Sequence, residues 1–200
     1  MSTSPLFDHQ VLFVNQKAKL IEVTNQYTVA DADGNVIGHV NQVGQSKAKK
    51  LLRMVSSVDQ FLTTTLEITD TNNAVVMSIT RPAKVFKSTV IVSDAAGTEL
   101  GRIVQENVFG KIRFAIEVGG KQIGAIKAEN WRAWDFAIEN ADGREVARIT
   151  KKFAGLARAM FTTADNYMVE IHDGLSQPLH SLVVAAALTV DTALKQDSKL

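Results

Sequence analysis

Leu182-Val-Val-Ala-Ala-Ala-Leu-Thr-Val190 is an apolar run met immediately by Asp191. Most of what precedes it reads as strand and turn, so the fold turns on whether this segment crosses a bilayer or fills a core. A spanning helix needs about 20 apolar residues to cover roughly 30 Å of hydrocarbon. At about 1.5 Å per residue this stretch reaches roughly 13 Å, under half the thickness. Asp191 at its end would be costly in lipid. A helix that is apolar on every side yet this short is predicted to lie inside a protein. It is expected over about residues 177–195, with Pro178 in its first turn and Ser176 as cap. Asp191 needs a partner or a place at the mouth of the core.

Upstream, six small turns punctuate β-rich sequence: Asp33-Gly34, Asn72-Asn73, Ala96-Gly97, Gly119-Gly120, Asp142-Gly143 and Asp173-Gly174. The glycines at 97, 120 and 143 are spaced 23 residues apart. Such dipeptides between alternating runs predict hairpins, and the one at Asp31-Ala-Asp-Gly34 suits type I′. Phe114, Ile116 and Val118 alternate with Arg113, Ala115 and Glu117, giving one buried and one wet face. A unit of 23 residues is too short for a four-stranded propeller blade. The prediction is a mainly β fold: a closed antiparallel β-barrel of about twelve strands in six hairpins around a buried hydrophobic C-terminal helix, since closure removes exposed edges. A single domain over residues 10–196 follows, with flexible termini at 1–9 and 197–200. One further helix is expected from Ser46 to about Phe61, where Leu51, Val55, Val58 and Leu62 recur on one face.

Composition narrows the function classes. Apolar content of 46% and charged content of 22% are globular values. A net charge of +1 removes the bulk electrostatic case for nucleic acid. With no cysteine there is no disulfide, thiolate metal site, cysteine nucleophile or palmitoylation. The opening Met1-Ser-Thr-Ser-Pro-Leu-Phe-Asp8 lacks a basic and then apolar leader, so a cytoplasmic location is expected.

Catalysis has little to stand on. His9, His39, His172 and His180 fall in four separate contexts, and neither an H-E-x-x-H nor a G-x-S-x-G pattern occurs. Asp31-Ala-Asp-Gly34 resembles an EF-hand start, but the glycine comes too early and no Glu closes the loop, so a turn is preferred. No catalytic residue, metal site or cofactor is predicted. Two basic groups are the binding candidates. Lys47, Lys49, Lys50 and Arg53 could meet an anionic membrane at about 1 kcal/mol per charge. Arg81, Lys84 and Lys87, placed at a turn opening a strand, could grip a phosphate. Against both stands the plainer reading of solvated surface charge. Trp131 and Trp134 suit a membrane interface or, preferably, burial beside a barrel strand.

The ordered set Tyr27-Thr-Val-Ala-Asp-Ala-Asp-Gly-Asn-Val-Ile-Gly38, Thr80-Arg-Pro-Ala-Lys-Val-Phe-Lys87, Phe161-Thr-Thr-Ala-Asp-Asn-Tyr167 and the helix through Asp191 resembles the tubby-like superfamily. Within it the chain is similar to the phospholipid scramblase and LURP-one-related branch, over about residues 10–195. The resemblance implies a twelve-stranded barrel threaded by a helix and a role at membranes. Scramblases carry an acidic calcium-binding stretch before that helix. Here His172-Asp-Gly-Leu-Ser-Gln-Pro-Leu179 holds Asp173 as its only carboxylate, a poor calcium site. The expectation is therefore a non-enzymatic membrane-associated module binding phospholipid or phosphoinositide without calcium-activated scrambling, peripheral at the inner face of the plasma membrane. The alternative is a soluble cytoplasmic protein-interaction or scaffold domain.

Overall fold

The computed structural model describes residues 4–16, 26–44, 63–83, 88–107, 113–130, 134–151, 166–172 and 174–197. The expected helix at 46–61, Trp131, and the side chain of Asp191 lie outside what is described. Twelve strands follow in chain order: β1 (Val11–Gln16), β2 (Gln26–Ala30), β3 (Val36–Val43), β4 (Thr64–Thr69), β5 (Val75–Arg81) and β6 (Thr89–Asp94). Then come β7 (Glu99–Gln105), β8 (Arg113–Val118), β9 (Lys121–Asn130), β10 (Asp135–Asn140), β11 (Glu145–Thr150) and β12 (Asn166–Ile171), and finally the helix α1 (Leu179–Asp197). Each strand pairs antiparallel with its chain neighbours, and β1 closes the barrel on β12 with Phe13 opposite Met168. Five of the six turns join strands; Gly174 lies between β12 and α1, so the sixth pair is made by the two ends of the sheet.

The turns are of two kinds. Gly119 and Gly120 both have positive φ, 56° and 77°, and form a two-residue I′ turn between Val118 and Lys121, in the hairpin expected there. The Asp-x-x-Gly turns are not I′. In Asp31-Ala-Asp-Gly34 only the glycine is left-handed, and Gly34 N–H donates to the Asp31 carbonyl at 3.1 Å. This is a type I turn followed by a left-handed residue. The Asp31 carboxylate fixes it by accepting from the amides of Asp33 and Asn35 at 2.9 and 2.8 Å. Asp70, Asp94 and Asn140 repeat the device at the next turns. The Asn35 side-chain amide, then the two backbone amides, hold the Asp31 carboxyl below its ordinary range against the opposing effect of burial.

After each of these five hairpins the second strand carries one extra residue: Ile37, Val76, Leu100, Ile123 and Val146. Such bulges sharpen the local twist and help close the sheet. The residue that follows faces inward and must be small where backbone crowds it. A Cβ on Gly101 would stand 2.5 Å from the Glu117 carbonyl oxygen of β8 and 2.9 Å from Leu182 of α1. Gly124 meets the Glu139 carbonyl of β10 in the same way, at 2.6 Å.

The helix runs through the barrel from the rim bearing the tight turns. Residues 181–190 are buried on every side, including three successive alanines, Ala185–Ala187. They pack against Val92, Ile103, Ile126 and Val169 of the inward sheet face in a single core. Thr189 is accommodated by donating its hydroxyl to the Ala185 carbonyl at 2.8 Å. The regular helix is counted from Leu179, and the Ser176 carbonyl already accepts from His180 N–H at 3.1 Å, four residues on, while the Gln177 side chain accepts from the Ser181 hydroxyl at 2.7 Å. Among the described residues no helix is long and apolar enough to cross a membrane. The ordered domain also starts earlier than residue 10. Pro5–Phe7 form a 3-10 turn whose Leu6 is fully buried, against the expectation of a flexible segment through residue 9.

Candidate functional site

The barrel has two unlike rims. One carries the tight turns and the start of α1; at the other the longer connections enter and leave, among them the one holding Lys47, Lys49, Lys50 and Arg53. Those four residues, with Lys84 and Lys87, lie outside the described residues. Arg81 is described, and its position corrects the reading of a surface charge opening a strand. It is the last residue of β5, and Met77, Ile79 and Arg81 alternate on the buried face. Only 7% exposed, it sits inside the barrel mouth, and its Nη2 reaches the Thr64 hydroxyl at 3.5 Å.

Two further buried polar side chains end inward strand faces at this rim, each two strands away from β5. Gln42 ends the inward face of β3, and Gln105 ends that of β7. Gln105 accepts from Ser88 N–H at 3.1 Å through its side chain and donates its own N–H to the Ser88 carbonyl at 2.8 Å. The apolar core thus gives way to a polar collar at the connector rim, with Arg81 its buried cation. Placing a guanidinium here costs desolvation, which hydrogen bonds must offset. Sequence reasoning missed the collar, although the i, i+2, i+4 spacing of Met77, Ile79 and Arg81 carried the signal.

Trp134 stands at the same rim. It adopts a left-handed φ of 53°, unusual for a tryptophan, and its ring is held by its neighbours. Tyr167 stacks at 6.1 Å and Lys151 places its ammonium 4.0 Å from the ring centroid. Phe136 meets it edge-on. Packing beside a strand, the preferred reading for this tryptophan, is what the structure has.

A model of the family described as Scramblase matches residues 2–194. The chain belongs to the scramblase family. A phospholipid scramblase family protein of Schizosaccharomyces pombe is 23% identical over 184 residues, covering 83% of this chain and 47% of that protein. "Altered inheritance rate of mitochondria protein 25" of Saccharomyces cerevisiae is 26% identical over 190 residues, covering 82% of this chain and 57% of its own length. The chain thus spans about half the length of these curated relatives. An X-ray structure of an Arabidopsis thaliana protein superposes with a TM-score of 0.54 at 8% identity, over 96% of this chain and 98% of that one. That likeness concerns the fold alone.

In this scramblase-family barrel the opposite rim is plugged by the N-terminal segment. Phe7 packs edge-on against His180 in the first turn of α1, ring centroids 5.6 Å apart, while Leu6 enters the core beside Gly38. The His180 ring is half-buried and its Nε2 has no hydrogen-bond partner among the described residues. Desolvation pushes its pKa below the ordinary 6.5, with Asp8 pulling weakly the other way. The folded state therefore binds this proton less readily than the unfolded chain. Stability is full above pH 6.5, falls as pH drops through 6.5, and stops falling from this source below the depressed folded value. Thermal melts between pH 8 and 5 should show that decline, and His180→Gln should flatten it. An unchanged profile in the variant would remove His180 from the account. Among the described residues no group of His, Asp and Glu side chains is arranged to hold a metal ion.

Proposed function

We propose that the chain is a non-enzymatic, membrane-associated module that binds phospholipid, phosphoinositides included, as a peripheral protein on the cytoplasmic face of the plasma membrane. Membership of the scramblase family supports a phospholipid partner. The observation that carries the peripheral part is the burial of residues 181–190 inside the barrel. A helix occupied on all sides by sheet has no face left for lipid, so lipid is met by the outer surface and rims. The basic residues Lys47, Lys49, Lys50, Arg53, Arg81, Lys84 and Lys87 supply cations of the kind that suits phosphate headgroups. Calcium-activated scrambling is not part of the reading, since Asp173 is the lone carboxylate of 172–179.

Vesicle flotation checks this. The protein should float with phosphatidylcholine vesicles containing phosphatidylserine or a phosphoinositide, and less as salt rises. Absence of flotation with every composition at low salt would overturn the proposal.

A further inference from the structure

The segment that plugs the tight-turn rim is tied to the barrel by side chains, not by its backbone. Among the described residues, the hydrogen bonds of Ser4 to His9 stay inside the segment. Phe7 N–H donates to the Ser4 carbonyl at 2.9 Å, and Leu6 N–H to the Ser4 hydroxyl at 3.4 Å. The sheet takes hold at Gln10, whose carbonyl accepts from Ile171 N–H at 2.7 Å. Two packing contacts seat what lies before it. Leu6 is fully buried in a notch that depends on glycine at position 38. A Cβ there would stand 2.9 Å from Leu6 Cδ1 and 2.8 Å from the Thr69 carbonyl oxygen. Phe7 sets its ring against His180 in the first turn of α1. One of the two contacts is thus made on a titratable group.

We infer that residues 4–9 are an acid-released latch, seated over the start of α1 while His180 is neutral and swung away about Gln10 once that ring is protonated. An imidazolium carries a proton on both nitrogens, and the buried Nε2 has no acceptor for its own among the described residues. Freed of the segment, the ring meets water and its charge is solvated. The released form therefore binds the proton more tightly, and falling pH favours release. The neighbouring charges do not reverse this. Asp8 acts on His180 in favour of the proton, but burial outweighs it. His9 acts on Asp31 instead, so a charged His9 would hold the segment down, and release proceeds against that pull. The barrel need not open with the latch. With no backbone bond to a strand before Gln10, the segment can part as a local unit and bare Leu6 and Phe7.

Proton NMR of the unaltered chain tests the latch. At pH 8 a nuclear Overhauser contact should join a Leu6 methyl group to the Gly38 α-protons. At pH 5 that contact should lose about half its intensity or more. Contacts between the stacked Trp134 and Tyr167 rings, at the other rim, should keep theirs. His180→Phe retains a ring against Phe7 and His180→Gln does not, but neither gains a charge, so the Leu6 contact should survive at pH 5 in both. A parent contact undiminished at pH 5 would overturn the proposal. So would its loss together with the Trp134–Tyr167 contacts, because the whole barrel would then be unfolding. Loss on acidification in the two variants would pass the trigger to another group and sink it as well. A segment already released at pH 8 in both variants would show that His180 seats it by shape alone, and the acid trigger would fall.

Discussion

Gly101→Val is expected to destabilise the barrel by roughly 3 kcal/mol or more. The cost has two sources that cannot be relieved together. The first branch atom would fall 2.5 Å from a backbone carbonyl oxygen, that of Glu117, which is fixed by strand pairing and has no rotamer to change. On the other side Leu182 stands 2.9 Å away, and behind it the helix is enclosed by sheet all round. Moving the strand outward opens the β7–β8 seam; moving the helix presses it into the opposite wall. Gly97→Ala makes the informative comparison. That glycine has a φ of 85° but open space around it, so the change should cost only about 1 kcal/mol of backbone strain. Denaturant unfolding followed by tryptophan fluorescence reads both, since Trp134 is stacked on Tyr167 only in the closed barrel. A Gly101→Val protein within about 1 kcal/mol of the parent would mean that helix and strand do not meet there as described.

The difference between these two glycines also marks how far the sequence could be read. Turn glycines announce themselves, because left-handed backbone between alternating strands is a local requirement. Strand number, hairpin order and the buried end of α1 followed from such local signals. Gly38, Gly101 and Gly124 sit in strands and answer to carbonyls of the next hairpin, which no short window contains. The bulges before them are silent for the same reason: Ile37, Leu100 and Ile123 look like ordinary strand residues until the partner register is known. The turn type was misjudged because Asp-Gly suggests I′, whereas the carboxylate two residues earlier, binding two amides, selects type I with a bulge.

The site was less legible than the fold. Arg81 was singled out for its charge and its neighbour Pro82, yet its burial follows from strand phase, which a proline boundary obscured. Phe7 and His180 lie at opposite ends of the chain, and only barrel closure brings them together.

Ala186→Asp carries the other large expectation: loss of the folded state under conditions where the parent is stable. Ala186 is 0% exposed, and its neighbours Ala185 and Ala187 are 0% and 1%, so the wall is continuous around the helix at this level. A carboxylate there has neither water nor a cation to meet. Burying it costs several kcal/mol even after protonation, comparable with the whole stability of a domain of this size. Ala186→Ser supplies the control for side-chain volume and polarity. A hydroxyl can donate to the carbonyl one turn back, as Thr189 does to Ala185, so serine should cost only about 1 kcal/mol. Circular dichroism melts of the three proteins decide the matter. If Ala186→Asp melted with the parent, the helix would have an exit from the barrel. The core assignment would then fail, and with it the argument that lipid is met only from outside.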